Sequence, residues 1–402
     1  MSLKNAIGGV ALIAGTAIGA AVLALPVATA HLGFAQTTVI YIVCWLFMTL
    51  GALFLLEANL AVGYGSNLIS MAEKTLGKPG KIFTWLVYLI LLYALTAAYL
   101  GGLGAWLQQV MQGWGKAPSA FSAALIGTAL TIIVISLGTA VTDWVNRILM
   151  IGLIGAFCTL LGLTVNHVDS ALLYSQGAQI DLRPIPLMIT AFGSAIVIPS
   201  LTEYLHGRKR QLYHVVLIGS LIPLFVYLLW EFCIVGIIPL KGADGLLFIQ
   251  QQGHPVTDVP KALERALHTP LITTASSYFS IFALITSLLG VCLSLFDFLA
   301  DGLRIQKKLK GKVLLSLITF VPPLIFVLFF PRGFNFALSF AGLFVALLLG
   351  ILPAVMVWQG RYRLKLEKPL MPFLGKWSII LTIAFFLGVI AIECFNQWER
   401  FF

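Results

Sequence analysis

Charged residues are scarce in this sequence. Lys, Arg, Asp and Glu together make up 10% of its 402 residues, only 15 side chains are acidic, and 60% of the residues are hydrophobic. A soluble globule of this size needs more polar side chains than the chain supplies. The composition therefore excludes a soluble enzyme or binding module and predicts an integral membrane protein.

Cysteines and catalytic motifs are also few. The five cysteines lie singly in apolar segments, which indicates packing and not a disulfide framework. The sequence has no His-Glu-x-x-His motif, no Cys-x-x-Cys pair and no P-loop, so neither a metal site nor an enzyme nor a cofactor is indicated. An intramembrane enzyme built on buried carboxylates is the weaker alternative. No linker is long enough for a soluble domain, so residues 1–402 are predicted to form one membrane transporter domain.

Long apolar runs are abundant. A helix needs about 20 apolar residues to cross a bilayer core of about 30 Å, and the sequence contains eleven such runs. The first run has 24 residues, too long for the core of a secretory signal. The predicted spans are Ala6–Thr29, Thr37–Val62, Ile82–Val110, Ala120–Val141, Ile148–Val165, Ile185–Leu205, Tyr213–Ile238, Thr273–Leu299, Val313–Phe330, Phe336–Trp358 and Trp377–Phe395.

Lys and Arg are distributed unevenly between the loops. If the N-terminus is cytoplasmic, the segments on that side hold 18 of the 25 basic residues and the other side holds 7. Cytoplasmic loops are enriched in Lys and Arg, so we predict a cytoplasmic N-terminus and a periplasmic C-terminus in a bacterial inner membrane. The net charge of +10 then reflects contact with anionic inner-leaflet lipid and not nucleic-acid binding, and no obligate protein partner is indicated.

Two of the runs contain helix-breaking residues. Gly15, Gly19 and Pro26 interrupt the first run, and Gly193 and Pro199 interrupt the sixth. Five runs separate the two starts, an odd number, so the second copy enters the membrane from the opposite side, as an inverted repeat requires. The predicted all-helical fold has two units of five helices, residues 6–165 and 185–358, and an eleventh helix at 377–395.

Interrupted helices expose backbone groups at membrane depth, where a ligand, protein or water must satisfy them. Freed N–H groups suit a carboxylate and freed carbonyls suit an ammonium or a cation, so an α-amino acid matches both. The alternative is that Gly15 and Gly19 form a small-residue packing face. A channel is a further alternative, but discontinuous helices flanking a midplane site favour alternating access.

Several stretches resemble one transporter family. They are GTAIGAAVLALP (15–26), LLEANL (55–60), YALTAAYLGG (93–102), TSLLGVCLSLFDFLADG (286–302) and ITFVPPLIFVLFFPRGF (318–334), together with the interrupted sixth run. In order and over most of the chain, they resemble the aromatic amino acid permeases, the tyrosine and tryptophan transporters of the amino acid–polyamine–organocation superfamily. YALTAAY is more similar to the tyrosine branch.

The resemblance implies a leucine-transporter-like five-plus-five fold and proton-driven symport of an aromatic amino acid, most similar to tyrosine import. It also implies a substrate site on the two interrupted helices. The family has an aromatic residue and a histidine after Phe-Gly, whereas this chain has Ser194 and Ala195, so the histidine's role is not transferred. The implied substrate-binding residues are Gly15, Thr16, Ile18, Gly19, Ala20, Ala21, Phe192, Gly193 and Ser194.

Aromatic side chains are candidates to contact the substrate ring. They are Tyr93 and Tyr99 in the third run, Phe192 in the sixth and Phe340 in the tenth. Tyr93 and Tyr99 are six positions apart and do not share one helix face, so one of the two is expected to line the pocket.

Ionisable side chains at membrane depth are costly and are therefore functional candidates. Four carboxylates lie towards the inner ends of their runs, and two basic residues are placed to pair with them and latch the inner mouth. The carboxylates are Glu57, Glu203, Asp297 and Asp301, and the basic residues are Lys4 and Arg147.

Glu57 and Asp297 lie deeper than the other two, so we predict that one of them titrates during proton coupling. Glu231 is also deep, but its neighbours in sequence indicate no partner. The competing hypothesis is sodium coupling, with hydroxyl oxygens from Thr286 and Ser287, although such hydroxyls often bond back to their own helix.

Overall fold

The computed structural model describes residues 3–19, 21–63, 66–113, 115, 118–175, 181–306, 308–330, 333–364 and 374–401. Among these residues the regular elements are helical and no strand is present. Nine helices are long and apolar enough to cross a bilayer, and a tenth span results if one bent pair is counted as a unit. Ala120–Ser136 is a further apolar helix of 17 residues. The fold is thus all-helical, and the count of eleven spans stays a prediction.

Seventeen α-helices follow one another in the described ranges of the chain. The first nine are α1 Leu3–Ala17, α2 Ala21–Ala28, α3 Gly33–Val62, α4 Leu68–Gly113, α5 Ala120–Ser136, α6 Thr139–Thr164, α7 Ser170–Ser175, α8 Ile185–Ala191 and α9 Ile198–Tyr204. The others are α10 Lys209–Val235, α11 Leu246–Gln252, α12 Pro255–Leu267, α13 Pro270–Gly302, α14 Leu309–Phe329, α15 Phe334–Val345, α16 Leu352–Tyr362 and α17 Lys376–Phe401.

Proline and glycine account for the irregular points. Within α4, Gly77 has a φ of +76°, which glycine tolerates, so the predicted third span is preceded by a separate helical segment from Leu68. Between α15 and α16 the chain forms a π-turn just before Pro353. Proline has no N–H to bond the carbonyl of Leu349, and that carbonyl faces Gly51 of α3, where a side chain would overlap it.

The two interrupted helices lie at the centre of the bundle. α1 and α2 pack against α10, while α8 and α9 pack against α3. Every residue of α2 from Ala21 to Val27 is buried, whereas α5, α14 and α17 carry many exposed apolar side chains, as helices facing lipid do. We call the face where α1 begins the predicted inner face, and the face where α2 ends the predicted outer face.

Candidate functional site

The breaks in the first and sixth apolar runs meet inside the bundle. α1 ends at Ala17, α2 begins at Ala21, and the axes of the two helices are bent by 53°. α8 ends at Ala191, and a 3-10 turn over Ser194–Val197 leads into α9. The turn packs against α1. Helix ends leave carbonyls that need partners from elsewhere, so the two breaks bring such groups together.

Tyr227 of α10 connects the two breaks. Its hydroxyl oxygen lies 2.6 Å from the carbonyl oxygen of Ala17 and 2.8 Å from that of Ala191, the last residues of α1 and α8. The negative ends of two helix dipoles therefore converge on one phenol. A phenol has one proton and can donate to only one of these carbonyls at a time, so the cluster accepts a further donor such as an ammonium group. The sequence analysis missed Tyr227, whose only signal is a polar aromatic side chain in the middle of an aliphatic run.

Gly19 lies on the opposite side of the first break, against α13. A side chain at this position would overlap Ser287 Oγ, so glycine permits a close approach of the two segments. The hydroxyl of Ser287 donates to the carbonyl of Ala283 at 2.9 Å, and the side chain of Tyr99 hydrogen-bonds to Ser287. The structure thus brings together three predicted site residues, Gly19, Tyr99 and Ser287.

Phe192 packs in an aromatic cluster behind the sixth break. Its ring centroid lies 5.1 Å from that of Tyr227 and 6.3 Å from that of Tyr41 on α3. The rings of Tyr41 and Tyr227 are 6.4 Å apart. A movement of the sixth break would therefore shift Phe192 and change its ring contacts with both tyrosines.

Ser194 faces a small cavity that has room for about one water molecule. Ala17, Phe192 and Ser220 also line it, so it extends from both breaks towards α3 and α10. Ser220 Oγ accepts hydrogen bonds from Trp45 and Thr49, each at 3.2 Å. Ser194 thus borders a mostly apolar pocket in which the hydroxyls of Thr49 and Ser220 are further polar groups.

A larger cavity of about 1080 Å³ opens on the predicted outer face. It reaches both interrupted helices, at Ala28, the last residue of α2, and at Leu187 in α8. Arg183 at its wall forms two hydrogen bonds of 2.9 Å with Asp181. Partial burial raises the pKa of Asp181, but the hydrogen bonds and charge of Arg183 outweigh it, so the pKa lies below its ordinary value.

Phe340 lies behind the wall of this cavity. Its ring stacks on Phe336, which lines the cavity, with centroids 6.1 Å apart, and it packs edge-on against Phe344 at 5.1 Å. The ring of Phe336 therefore separates Phe340 from the cavity.

Other predicted substrate residues have different surroundings. Tyr93 donates a 2.6 Å hydrogen bond to the carbonyl of Ile318 in α14, which Pro322 cannot bond because proline has no N–H. Of the two tyrosines predicted to contact the substrate, the structure places Tyr99 near the breaks and Tyr93 against α14. Thr16 is exposed and bonds back to Leu12 at 2.7 Å.

The remaining positions of the first run differ in burial. Gly15 lies against the end of the Met150 side chain, Ile18 is half-buried and Ala21 is buried as the first residue of α2. Gly193 begins the 3-10 turn of the sixth run. Ala20 and the side chain of Lys4 lie outside the described residues.

The two hydroxyls of the predicted ion site bond to their own helix. Thr286 Oγ1 lies 2.8 Å from the carbonyl oxygen of Phe282, and Ser287 Oγ lies 2.9 Å from that of Ala283. Back-bonding of this kind satisfies the hydroxyl protons without an ion.

Glu57 forms a buried ion pair that the sequence analysis missed. Its two oxygens lie 2.5 and 2.6 Å from Nε and Nη2 of Arg361, and the side chains are 9% and 7% exposed. Arg361 also donates to the carbonyl of Leu374. Lys4 and Arg147 were the basic partners considered from sequence. The bidentate pair with Arg361 joins α3 to α16 at the predicted inner face.

The other predicted gating residues are more accessible. Glu203 and Asp301 are exposed near the ends of α9 and α13, Arg147 is exposed within α6, and Asp297 is half-buried. Arg147 lies on α6 and Asp297 lies on α13, and these two helices pack along each other. The side chains of both residues form polar or electrostatic interactions.

Comparison with known proteins identifies the family. The profile of the tryptophan/tyrosine permease family matches residues 2–394. The chain belongs to this family. The permease is 32% identical over 394 residues to the tyrosine-specific transport system 1 of Haemophilus influenzae, with 96% of each chain covered. It is 31% identical to a tryptophan-specific transport protein of the same organism, covering 89% of this permease and 88% of the relative. The resemblance seen in the sequence is thus confirmed, and the protein is a multi-pass membrane permease and not an enzyme.

A solved structure supports the fold of this permease. The manganese transporter of Eremococcus coleocola, crystallised with an aromatic bis-isothiourea substituted compound, aligns with a TM-score of 0.62 over 96% of this chain and 86% of its own, at 13% identity. At that identity the similarity shows a shared transporter fold and nothing about substrate.

Proposed function

We propose that this permease imports an aromatic amino acid, with tyrosine as the preferred substrate, by proton symport with alternating access. The observation that carries the proposal is the convergence of the carbonyl ends of α1 and α8 on Tyr227. A substrate ammonium replaces the phenol proton at these carbonyls, and the N–H groups at the start of α2 bind the carboxylate. The ammonium and the carboxylate of the substrate are then both bound by backbone groups, without a charged side chain.

The substrate ring is placed between Gly19, Tyr99 and Ser287 on one side and Phe192 on the other. Tyr99 and Ser287 already hydrogen-bond to each other, so a phenol on the substrate finds a polar pair there. The preference for tyrosine over tryptophan rests on this pair and on the YALTAAY stretch.

The overall arrangement proposed is two inverted units, residues 6–165 and 185–358, with 377–395 appended. The interrupted helix at the start of each unit and the meeting of both breaks at Tyr227 support it. The permease is placed in the bacterial inner membrane with a cytoplasmic N-terminus, where 18 of its 25 basic residues face anionic lipid. No cofactor is required.

Uptake into proteoliposomes tests the proposal. Labelled tyrosine, tryptophan and phenylalanine are offered with proton and sodium gradients imposed separately. A proton gradient of about one pH unit is expected to drive about tenfold accumulation of tyrosine at one proton per substrate, because both correspond to about 1.4 kcal/mol. Accumulation that follows sodium alone would favour the ion site at Thr286 and Ser287, and no accumulation of any substrate contradicts the proposal.

A further inference from the structure

Among the described residues, Glu231 is a carboxylate in the centre of the bundle with no ion-pair partner. It is fully buried on α10, one turn of helix beyond Tyr227. Its Oε1 lies 2.6 Å from Thr29 Oγ1, and its Oε2 accepts a hydrogen bond of 3.1 Å from Tyr41. In the part of the chain that the structure describes, these two hydroxyls are its only hydrogen-bond partners and no basic side chain forms an ion pair with it. A buried carboxylate in this setting is costly when charged and is expected to have a function.

The hydrogen bonds around Thr29 accommodate a proton on Glu231. Thr29 Oγ1 lies 2.8 Å from the carbonyl oxygen of Leu25 as well as 2.6 Å from Glu231, but its hydroxyl has a single proton. If Thr29 donates to Leu25, the short contact with Glu231 needs a proton on the carboxyl group. If Glu231 is ionised, the Thr29 hydroxyl turns to it, and Leu25 keeps its hydrogen bond from the Thr29 N–H at 3.0 Å. Both protonation states therefore leave every group satisfied.

In the described residues, phenols and a thiol are the other ionisable groups around Tyr41 and Tyr227, and His31, two residues after Thr29, belongs to the wall of the outer cavity. The helix α2 contributes no ionisable group. Phenols and thiols are neutral where carboxyl groups titrate. They are Tyr41 and Cys44 on α3, Tyr227 on α10, and Tyr99 on α4, which lies near Tyr227.

The surroundings of Glu231 link the outer cavity to the substrate site. Ala28, the residue before Thr29, lines the outer cavity, and His31 lies close by in the same wall. On the other side, Tyr41 bonds Glu231 and packs against Phe192 and Tyr227, the side chains at the two breaks. A proton can thus arrive from the outer water, and its arrival is transmitted to the helix ends that bind the substrate.

We propose that Glu231 carries the symported proton. The carboxylate takes one proton from water in the outer cavity, and Thr29 turns its hydroxyl from Glu231 to Leu25 and accepts a hydrogen bond from the new acid. The same proton leaves on the predicted inner side when the site opens there, and the carboxylate is restored. This inference rests on the proposed proton symport and names its titrating group, in place of Glu57, which is held by Arg361.

Transport and exchange assays on three variants test this role. Glu231→Gln keeps the size of the side chain and mimics the protonated form, whereas Glu231→Asp restores a titratable group. Glu393→Gln is the matched control, because Glu393 is another fully buried carboxylate in a spanning helix, bonded by Asn396 and Gln397. Each variant is assayed in proteoliposomes for accumulation driven by a pH gradient and for tyrosine exchange at equal pH, which needs no net proton movement.

We expect Glu231→Gln to retain exchange within about threefold of wild type but to lose the roughly tenfold accumulation expected from a gradient of one pH unit. Glu231→Asp is expected to recover accumulation, and Glu393→Gln to keep it. Normal accumulation by Glu231→Gln overturns the inference. Loss of both exchange and accumulation in Glu231→Gln and in Glu231→Asp also overturns it, because that result indicates a structural role. If wild type itself exchanges tyrosine but never responds to the pH gradient, proton symport fails instead.

Discussion

Gly19 shows how a single residue sets the geometry of the first break. Its lack of a side chain lets the segment between α1 and α2 approach α13, where Ser287 links it to Tyr99. Tyr227 acts similarly at the helix ends, since one hydroxyl serves the terminal carbonyls of α1 and α8. At this scale the site depends on small groups whose replacement is expected to have large effects.

Gly19→Ala is expected to destabilise the protein and slow uptake. The added methyl group overlaps Ser287 Oγ, and overpacking of this kind costs about 1–3 kcal/mol. The midpoint of thermal unfolding in detergent and the rate of tyrosine uptake are the measurements. Gly290→Ala is the control, because a methyl group there meets no atom within 4 Å. Addition of Ser287→Ala to Gly19→Ala should recover stability, and a Gly19→Ala protein as stable as wild type would show that the contact is wrong.

Tyr227→Phe is expected to lower the free energy of unfolding. It removes the only hydroxyl proton shared by two buried carbonyls, and an unsatisfied buried group costs about 1–3 kcal/mol. Thermal unfolding in detergent measures the loss. The matched control is Tyr174→Phe, because that side chain is 86% exposed on α7. Equal unfolding midpoints for the two variants would contradict the bridging role of Tyr227.

Pairs of helices are held by contacts that are distant in sequence. The ion pair between Glu57 and Arg361 joins α3 to α16 across 304 positions, and the hydroxyl of Thr202 on α9 donates to Asn59 of α3 at 2.7 Å. Both contacts lie towards the predicted inner face. We therefore interpret this face as the one closed by side-chain contacts, while the large cavity opens on the other face.

A double-mutant cycle tests whether the ion pair between Glu57 and Arg361 stabilises the packing of α3 against α16. Glu57→Gln and Arg361→Gln are each expected to cost about 3–5 kcal/mol, because each leaves a buried partner without its counter-charge. The double variant should cost clearly less than the sum of the two. As the control, Glu73→Gln removes an exposed pair with Lys81 and should cost about 1 kcal/mol or less. Additive effects in unfolding measurements would show that the two groups are not coupled.

The described part of the chain forms a helical bundle with a large cavity on its predicted outer face. The cavity reaches α2 and α8, the halves of the two interrupted helices on that face, so the two breaks lie between it and the contacts of the predicted inner face. Alternating access requires this cavity to close while the inner contacts separate. The orientation of the bundle decides whether this movement imports the substrate.

Thiol labelling tests the orientation. In a background without native cysteines, Gln251→Cys is expected to react with a membrane-impermeant reagent in intact cells, because Gln251 is exposed at the outer cavity. Lys78→Cys, exposed near the start of the main segment of α4, should react only after the membrane is permeabilised. The two positions are matched controls for each other. The reverse pattern would contradict a cytoplasmic N-terminus.

The positions of the helix breaks could be predicted from the sequence, but the contacts between distant side chains could not. Gly15, Gly19 and Gly193 lie within a few residues of the ends of α1 and α8, whereas Pro26 lies inside α2 and Pro199 is the second residue of α9. The choice between Tyr93 and Tyr99 stayed open, because it depends on a carbonyl freed by Pro322 in another helix. Sequence patterns show where a helix is interrupted, but they do not show which residue of another helix contacts the interrupted segment.

Apolar runs suffice to predict a multi-pass helical membrane protein, because spanning a bilayer imposes length and charge rules on each segment separately. The family follows from stretches read in order along the chain. The convergence of two helix ends on Tyr227, the partner of Glu57 and the two hydroxyls around Glu231 required the packed bundle. These contacts join residues far apart in the chain, so their energies depend on how the helices pack and not on any local pattern.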